Sequence, residues 1–329
     1  MDRLDCRAVL RQVAAAAGLL VAALPASAQQ WIMATPYPDK NFHTVNILRF
    51  VDEVKQGTGG KLAITVHTNQ SLVQMPQIKR AIMAGQVQMG EILLSAYGNE
   101  DPFFEVDGVP MLSPGYENAK KLWDASRPLV EKRFRAQGLV PLFSVPWPPQ
   151  GFYTARPVKS ISEFKGWKFR AYNAVTSRMA ELMGATPTIV QQAEVPQAFA
   201  TSTVEAMVTS APTGVDTKAW EFSKFYYDVR VINNKNIVLV SQKALDGLDA
   251  AARTAVLDAA KRAETRGWAD SQKVMEETTK RLADQGMKVE PPSAAMRAEL
   301  DKIGETMIAE WTKRAGADGQ AMLKVYRGN

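Results

Sequence analysis

The apolar positions of this chain switch period repeatedly, from the every-second-residue alternation of a strand to the three-and-four spacing of a helix. Residues 31–35 suit a strand. Behind Asn41, a residue type that caps helices, Ile47, Leu48, Val51 and Val54 recur at helical spacing until Gly57-Thr58-Gly59-Gly60 stops the run. Residues 61–67 alternate as a strand, 75–84 read as a helix, and 87–94 read as a buried strand. A further helix over 119–137 closes at Gly138, and 139–145 give another strand. Strands alternating with helices in this way predict an α/β class.

Pro146-Trp147-Pro148-Pro149-Gln150-Gly151 breaks the pattern. Prolines this dense cannot sit inside a sheet, so the segment reads as the crossing into a second domain. That domain is predicted to hold a strand around 167–173, helices near 177–183 and 195–201, and a strand near 204–208. The run 237–240 reads as a buried strand returning to the first domain. Residues 249–284 are helical without a proline, with Val256, Ala260, Ala263 and Leu282 in the apolar stripe. At the usual rise such a helix spans ~50 Å, so it either bends or lies across both domains as a shared spine. Pro291-Pro292 stops it, and Ser293 caps a last helix to about Ala315. The expected organisation is residues 29–147 plus 236–275 in one lobe and 148–235 plus 276–329 in the other.

The first 28 residues are different in kind. Arg3, Arg7 and Arg11 precede an apolar run over 13–24, followed by Ala26-Ser27-Ala28. A basic start, a short apolar stretch and an A-x-A site predict a secretory signal peptide, with the mature chain beginning near Gln29. The apolar run is short for a bilayer span and no other segment approaches that length, so the protein is expected to be secreted and not membrane-embedded. Cys6, the only cysteine, falls inside the leader, which removes disulfides and thiolate chemistry from the mature chain. The net charge of +6 is spread over 329 residues without a basic block. Nucleic-acid binding is not indicated, while a mild positive field favours small anions.

Motifs for covalent chemistry are missing. There are two histidines, His43 and His67, and no zinc-protease, nucleophile-elbow or dinucleotide signature. His43, in a first helical turn, reads as a surface or pocket-rim residue and His67 as structural. No cofactor or metal is expected. The absence of a reactive pair favours binding over catalysis, although an enzyme working through ordinary carboxylates stays open. The segment Gly166-Trp167-Lys168-Phe169-Arg170-Ala171-Tyr172-Asn173 is the most suggestive. On a strand, Trp167, Phe169 and Ala171 face one side and Lys168, Arg170 and Tyr172 the other. Arg170 then lies near the strand's carboxyl end, where open α/β sheets bind ligands, and its planar fork fits a carboxylate. A solvated arginine on an edge strand is the competing reading.

The order of these features, and residues 161–208 above all, resembles the extracytoplasmic solute-binding receptors of tripartite ATP-independent periplasmic (TRAP) transporters, the dicarboxylate-receptor-like or DctP-type family. Ser162-Glu163-Phe164-Lys165-Gly166-Trp167-Lys168-Phe169-Arg170 is similar to the family's D-L-K-G-x-K-x-R signature, and Gly184-Ala185-Thr186-Pro187 to its G-A-x-P turn. The stretch 199–208 resembles its L-Q-x-G-x-V-D-G-x-E landmark with Ser202, Glu205 and Ala206 as departures. The resemblance implies a periplasmic solute-binding fold, two α/β lobes with a ligand cleft between them and a long helix spanning both. It implies a receptor, not an enzyme, that captures a small organic acid by lobe closure and hands it to TRAP membrane subunits for secondary transport. It places Arg170 on the ligand carboxylate. Asn173, Gln150 and Ser210 are implied as polar contacts, with Trp147 and Phe152 as an apolar wall and Tyr37, Ser95 and Tyr97 closing from the first lobe. In some members a second arginine holds the ligand, and that position falls near Gln150 here, so a single clamp on a monocarboxylate is expected. A periplasmic sensor, or an enzyme acting on an organic acid, is the alternative.

Overall fold

The structure, a computed structural model, describes residues 28–328. The expected leader, apart from Ala28, lies outside them. Along the chain come β1 (Gln29–Ala34), α1 (Phe42–Gly57), β2 (Leu62–His67), α2 (Ile78–Met83), β3 (Met89–Leu93), α3 (Gly115–Arg135) and β4 (Leu139–Pro146). Next are β5 (Gly151–Thr154), β6 (Lys168–Ala171), α4 (Ala174–Leu182), β7 (Thr186–Ile189), α5 (Val195–Ala200), β8 (Ala206–Thr209), α6 (Ala211–Asp216) and β9 (Phe225–Tyr227). The chain ends through β10 (Lys235–Ser241), α7 (Gln242–Asp246), α8 (Ala250–Asp284), β11 (Lys288–Glu290) and α9 (Ala294–Arg327).

The strands form two sheets, one in each lobe, ordered β2-β1-β3-β10-β4 and β11-β9-β5-β8-β6-β7. In the first, β1 pairs parallel with β2 and β3, and β10 returns antiparallel between β3 and β4. β10 is buried on both faces: Val238 and Val240 join one apolar cluster, Ile237 and Leu239 the other. That double burial is why the strand reads as an unbroken apolar run. In the second sheet β6 lies between β8 and β7, parallel to both, so Arg170 stands on an interior strand and not on an edge.

Two extended segments cross between the lobes, in addition to the long helices, and these two crossings hydrogen-bond to each other. Trp147 N–H donates to Asn234 O (2.9 Å), Gln150 N–H to Ile232 O (2.9 Å) and Val231 N–H to Gln150 O (3.0 Å). The return is anchored where Asp107 accepts from the Lys235 backbone N–H (2.7 Å). α8 is the shared spine and not a bent helix of one domain: it packs on α1 and β4 of the first lobe and on α6 and β11 of the second. Asp249 caps it through Ala252 N–H (2.7 Å). Gly267 allows its close approach to the sheet, since a Cβ there would lie 2.4 Å from Val145 Cγ2. α9 begins at the expected Ser293 cap. It breaks at Gly316 (φ 62°), one residue past the expected end, and then resumes to Arg327. It packs on α3 in the first lobe and on α4 in the second. Among the described residues no helix is long and apolar enough to cross a membrane.

Candidate functional site

Arg170 is held by the alternation of its strand. Phe169 and Ala171 go into the core, and Arg170 projects from the other face into a cleft between the lobes, only 3% exposed. Its Nε donates to Val190 O (3.0 Å) and its Nη1 to Val208 O (3.4 Å). The guanidinium also lies 5.0 Å from the Tyr172 ring centroid. No carboxylate pairs with it among the described residues. Burial lowers its pKa to about 10, so it stays charged at neutral pH. A buried cation without a counter-ion is costly, and its unused Nη2 edge is a ready site for an anion.

The cleft holds about 370 Å³ of atom-free space, open solvent included, and Arg170 is the one charged side chain lining it among the described residues. The crossings supply its back wall. Tyr172 donates to Gln150 Oε1 (2.8 Å), Gln150 Nε2 to Asn234 Oδ1 (2.9 Å), and Asn234 Nδ2 to Tyr172 Oη (3.2 Å). This closed ring fixes the orientation of two amides that face the cleft. Burial raises the Tyr172 pKa, so its phenol remains a donor. The first lobe contributes an apolar wall of Leu93, Tyr37 and Trp147, the last two edge-to-face with centroids 5.0 Å apart. Ser210 and Thr213 close the second-lobe side.

Of the residues expected at the site, Arg170, Gln150, Ser210, Trp147 and Tyr37 line this one cleft. The structure places the other four elsewhere. Phe152 is fully buried in the second-lobe core against Phe164 and Phe169, because its strand turns that face inward. Tyr97 packs in the first-lobe core near Lys79, whose ammonium lies 5.3 Å from the ring centroid. Ser95 and Asn173 meet each other across the lobes: Asn173 Nδ2 donates to Ser95 Oγ (2.9 Å) and to Ser95 O (3.2 Å). Asn173 also caps α4, accepting from Thr176 N–H (2.9 Å). His43, expected at a surface or rim, is instead 1% exposed and packs tilted against Trp147, with ring centroids 4.4 Å apart. Tyr172 and Asn234 were missed as cleft residues. Tyr172 shares the face of Arg170 by strand alternation, which was a usable signal. Asn234 lies on the return crossing, which no local pattern announces.

The model of the bacterial extracellular solute-binding proteins, family 7, matches residues 33–314. Among solved structures, the chain is 48% identical to DctP7 of Bordetella pertussis, an extracytoplasmic solute receptor binding pyroglutamic acid, covering 91% of this chain and 100% of that one with a TM-score of 0.90. DctP6 of the same organism, also binding pyroglutamic acid, is 45% identical over 92% of this chain and 100% of its own, with a TM-score of 0.90. A marine-metagenome TRAP solute-binding protein specific for pyroglutamate is 38% identical over 92% of this chain and 100% of its own, TM-score 0.90. The sialic acid-binding periplasmic protein SiaP of Vibrio cholerae is 35% identical over 88 residues, which is 26% of this chain and 27% of SiaP. The match over nearly the whole described chain and the two-lobed architecture agree: the protein belongs to the bacterial extracellular solute-binding proteins of family 7, a family of receptors and not of enzymes.

Proposed function

We propose that this receptor captures pyroglutamate, the five-membered lactam of glutamate, and delivers it in the periplasm to the membrane subunits of a TRAP transporter. The observation that carries the reading is Arg170, a buried cation facing the cleft with no acidic partner among the described residues. A carboxylate on its Nη2 edge would supply the missing charge in a site where water is largely excluded. The rest of the cleft fits a compact monoanion. Among the described residues it has no second cation for a second carboxylate and no acidic side chain for an ammonium. Gln150 and Asn234 can each donate and accept, which matches a lactam with one N–H and one C=O. Trp147 and Leu93 offer apolar surface to the ring methylenes. Three relatives at 38–48% identity that bind pyroglutamate support the same solute. The leader expected over residues 1–28 supports export.

Capture would proceed by closure about the paired crossings. The lobes come together on the ligand, Asn173 reaches Ser95, and the arginine–carboxylate pair strengthens as the local dielectric falls. Calorimetric titration of the ligand-free protein tests the solute. L-Pyroglutamate should bind, and L-glutamate, L-proline and a hexuronate should bind at least about tenfold more weakly, a difference of ~1.4 kcal/mol. Tighter binding of glutamate or of a uronate would overturn the assignment.

A further inference from the structure

Behind the apolar wall of the cleft lies a buried polar cluster that no ligand contact explains. Asn236 on β10 accepts with its Oδ1 from Trp147 Nε1 (2.9 Å) and from Tyr37 Oη (3.3 Å), and both donors line the cleft. Its Nδ2 donates to Glu91 Oε1 on β3 (2.8 Å). The other carboxyl oxygen, Oε2, accepts from Thr35 Oγ1 (2.5 Å). His43 Nδ1 lies 3.3 Å from Oε1, and His43 Nε2 has no partner among the described residues. Glu91 is 1% exposed. The void it shares with His43, Asn46 and Val145 has no room for a water molecule.

This arrangement has a direction. Asn236 can hold both cleft donors only while its oxygen faces them, and that requires an acceptor on its amide side. Glu91 is that acceptor. A flipped amide would set N–H against N–H in a dry site, where an unmade hydrogen bond is costly. We propose that Glu91 is a positioning residue for the cleft wall, acting through Asn236 on Trp147 and Tyr37, and that it gains a proton when the receptor takes up its anionic ligand.

The coupling follows from the charges around Glu91. From α1 it faces His43, from the segment after β1 it faces Thr35 and Tyr37, and from β10 it faces Asn236. The next cation towards α8 is Arg266, already engaged by Asn46 and Glu53. On the cleft side stands Arg170, and the two charges act on Tyr37 in opposite directions, that of Glu91 raising its pKa and that of Arg170 lowering it. In the ligand-free protein Arg170 is therefore a distant partial counter-charge to an ionised Glu91. A ligand carboxylate on Arg170 cancels that charge and adds an anion to the same low-dielectric region, which disfavours ionised Glu91. Burial also raises the Glu91 pKa to about 7, so the group is poised to respond near neutrality, and burial holds His43 neutral. By linkage, affinity should rise as pH falls through the Glu91 transition.

The inference rests on the reading of an anion at Arg170, and titration calorimetry with L-pyroglutamate in two buffers of different ionisation enthalpy tests it. Wild-type protein should take up ~0.3–0.5 proton per ligand at pH 7. Glu91→Gln, which preserves the acceptor for Asn236 and resembles the protonated acid, should take up none. It should bind within about threefold of wild type at pH 6 and lose the pH dependence. Thr35→Val removes a donor to the ionised form and should move the midpoint of the wild-type pH profile upward. No proton uptake in wild type, equal uptake in Glu91→Gln, or an unmoved midpoint in Thr35→Val would each overturn the proposal. If pyroglutamate gives no binding heat or melting shift, the solute assignment fails separately. An infrared pH titration of the ligand-free protein then decides: a protonated-carboxyl band between pH 6 and 8 that Glu91→Gln lacks supports the poised site, and its absence overturns it.

Discussion

Replacing Arg170 by methionine separates binding from folding, and the structure indicates the size of each effect. The guanidinium is desolvated enough to lower its pKa from 12.5 to about 10. At 1.36 kcal/mol per unit, that corresponds to about 3 kcal/mol of strain on the charged form in the empty fold. Methionine relieves it and keeps the volume near that of the buried stem. Against this stand two lost hydrogen bonds, to Val190 O (3.0 Å) and to Val208 O at a long 3.4 Å, and a cation–π contact with Tyr172. Together those losses cost about 2–4 kcal/mol, so the terms nearly cancel. Arg170→Met should therefore leave ligand-free stability within about 1 kcal/mol of wild type by urea denaturation.

Binding should behave otherwise. Losing the charged partner of a buried carboxylate costs ~2–5 kcal/mol, which is a loss of roughly 30-fold to several thousandfold in affinity. Ligand at one hundred times the wild-type Kd stabilises the wild type by ~2.7 kcal/mol, and that increment should fall below about 1 kcal/mol in the variant. A variant that unfolds far more easily, or that binds the acid within threefold of wild type, would refute the view of Arg170 as a functional rather than a structural cation.

Three further substitutions probe closure, packing and the buried carboxyl. Ser95→Ala removes both the hydroxyl that accepts from Asn173 across the lobes and a long contact with Asn234 (3.5 Å), so it should weaken ligand binding by about three- to tenfold, 0.5–1.5 kcal/mol, by calorimetry. Gly267→Ala should destabilise the protein by ~1–3 kcal/mol in urea although alanine is the better helix former, because its Cβ would meet Val145 Cγ2 at 2.4 Å. For Glu91, the folded pKa of about 7 exceeds its ordinary 4.5, so its contribution is fully present below 4.5 and is lost as pH rises through 7. The stability of wild type relative to Glu91→Gln should accordingly fall by up to about 3 kcal/mol between pH 4.5 and 8, read from urea midpoints.

The elements legible in the sequence are those whose signal is local. Helices announced by a cap begin where they were expected, at Asn41 and Ser293, and the proline-free periodic run over 249–284 forms α8. The strands missed are short: β5 and β7 have four residues each and β9 and β11 three, too few to show an alternation, and β11 forms because the end of α8 carries the chain back onto β9. Arg170 was readable because alternation on β6 separates it from Phe169 and Ala171, and because its neighbourhood carries a family signature. That it stands on an interior strand was not readable, since β7 begins with Thr186-Pro187, a pattern with no strand signature.

The cleft itself is a non-local object, and this is why only part of it could be foreseen. Its back wall is made where two crossings, 147–150 and 228–234, pair with each other. Gln150 acquires a cleft role only because Asn234, far away in sequence, completes its ring with Tyr172. Putting the recognition groups on the crossings has a mechanical consequence. Any rotation of one lobe against the other passes through the backbone that carries Trp147, Gln150 and Asn234, so the polar ring and the hinge cannot adjust independently. A ligand that satisfies Arg170 and the two amides together therefore favours one setting of the hinge, the one in which Asn173 reaches Ser95. Under the proposed closure, an acid that reaches only Arg170 should leave the hinge unbiased and bind without closing the lobes, which would put discrimination in closure as much as in contact.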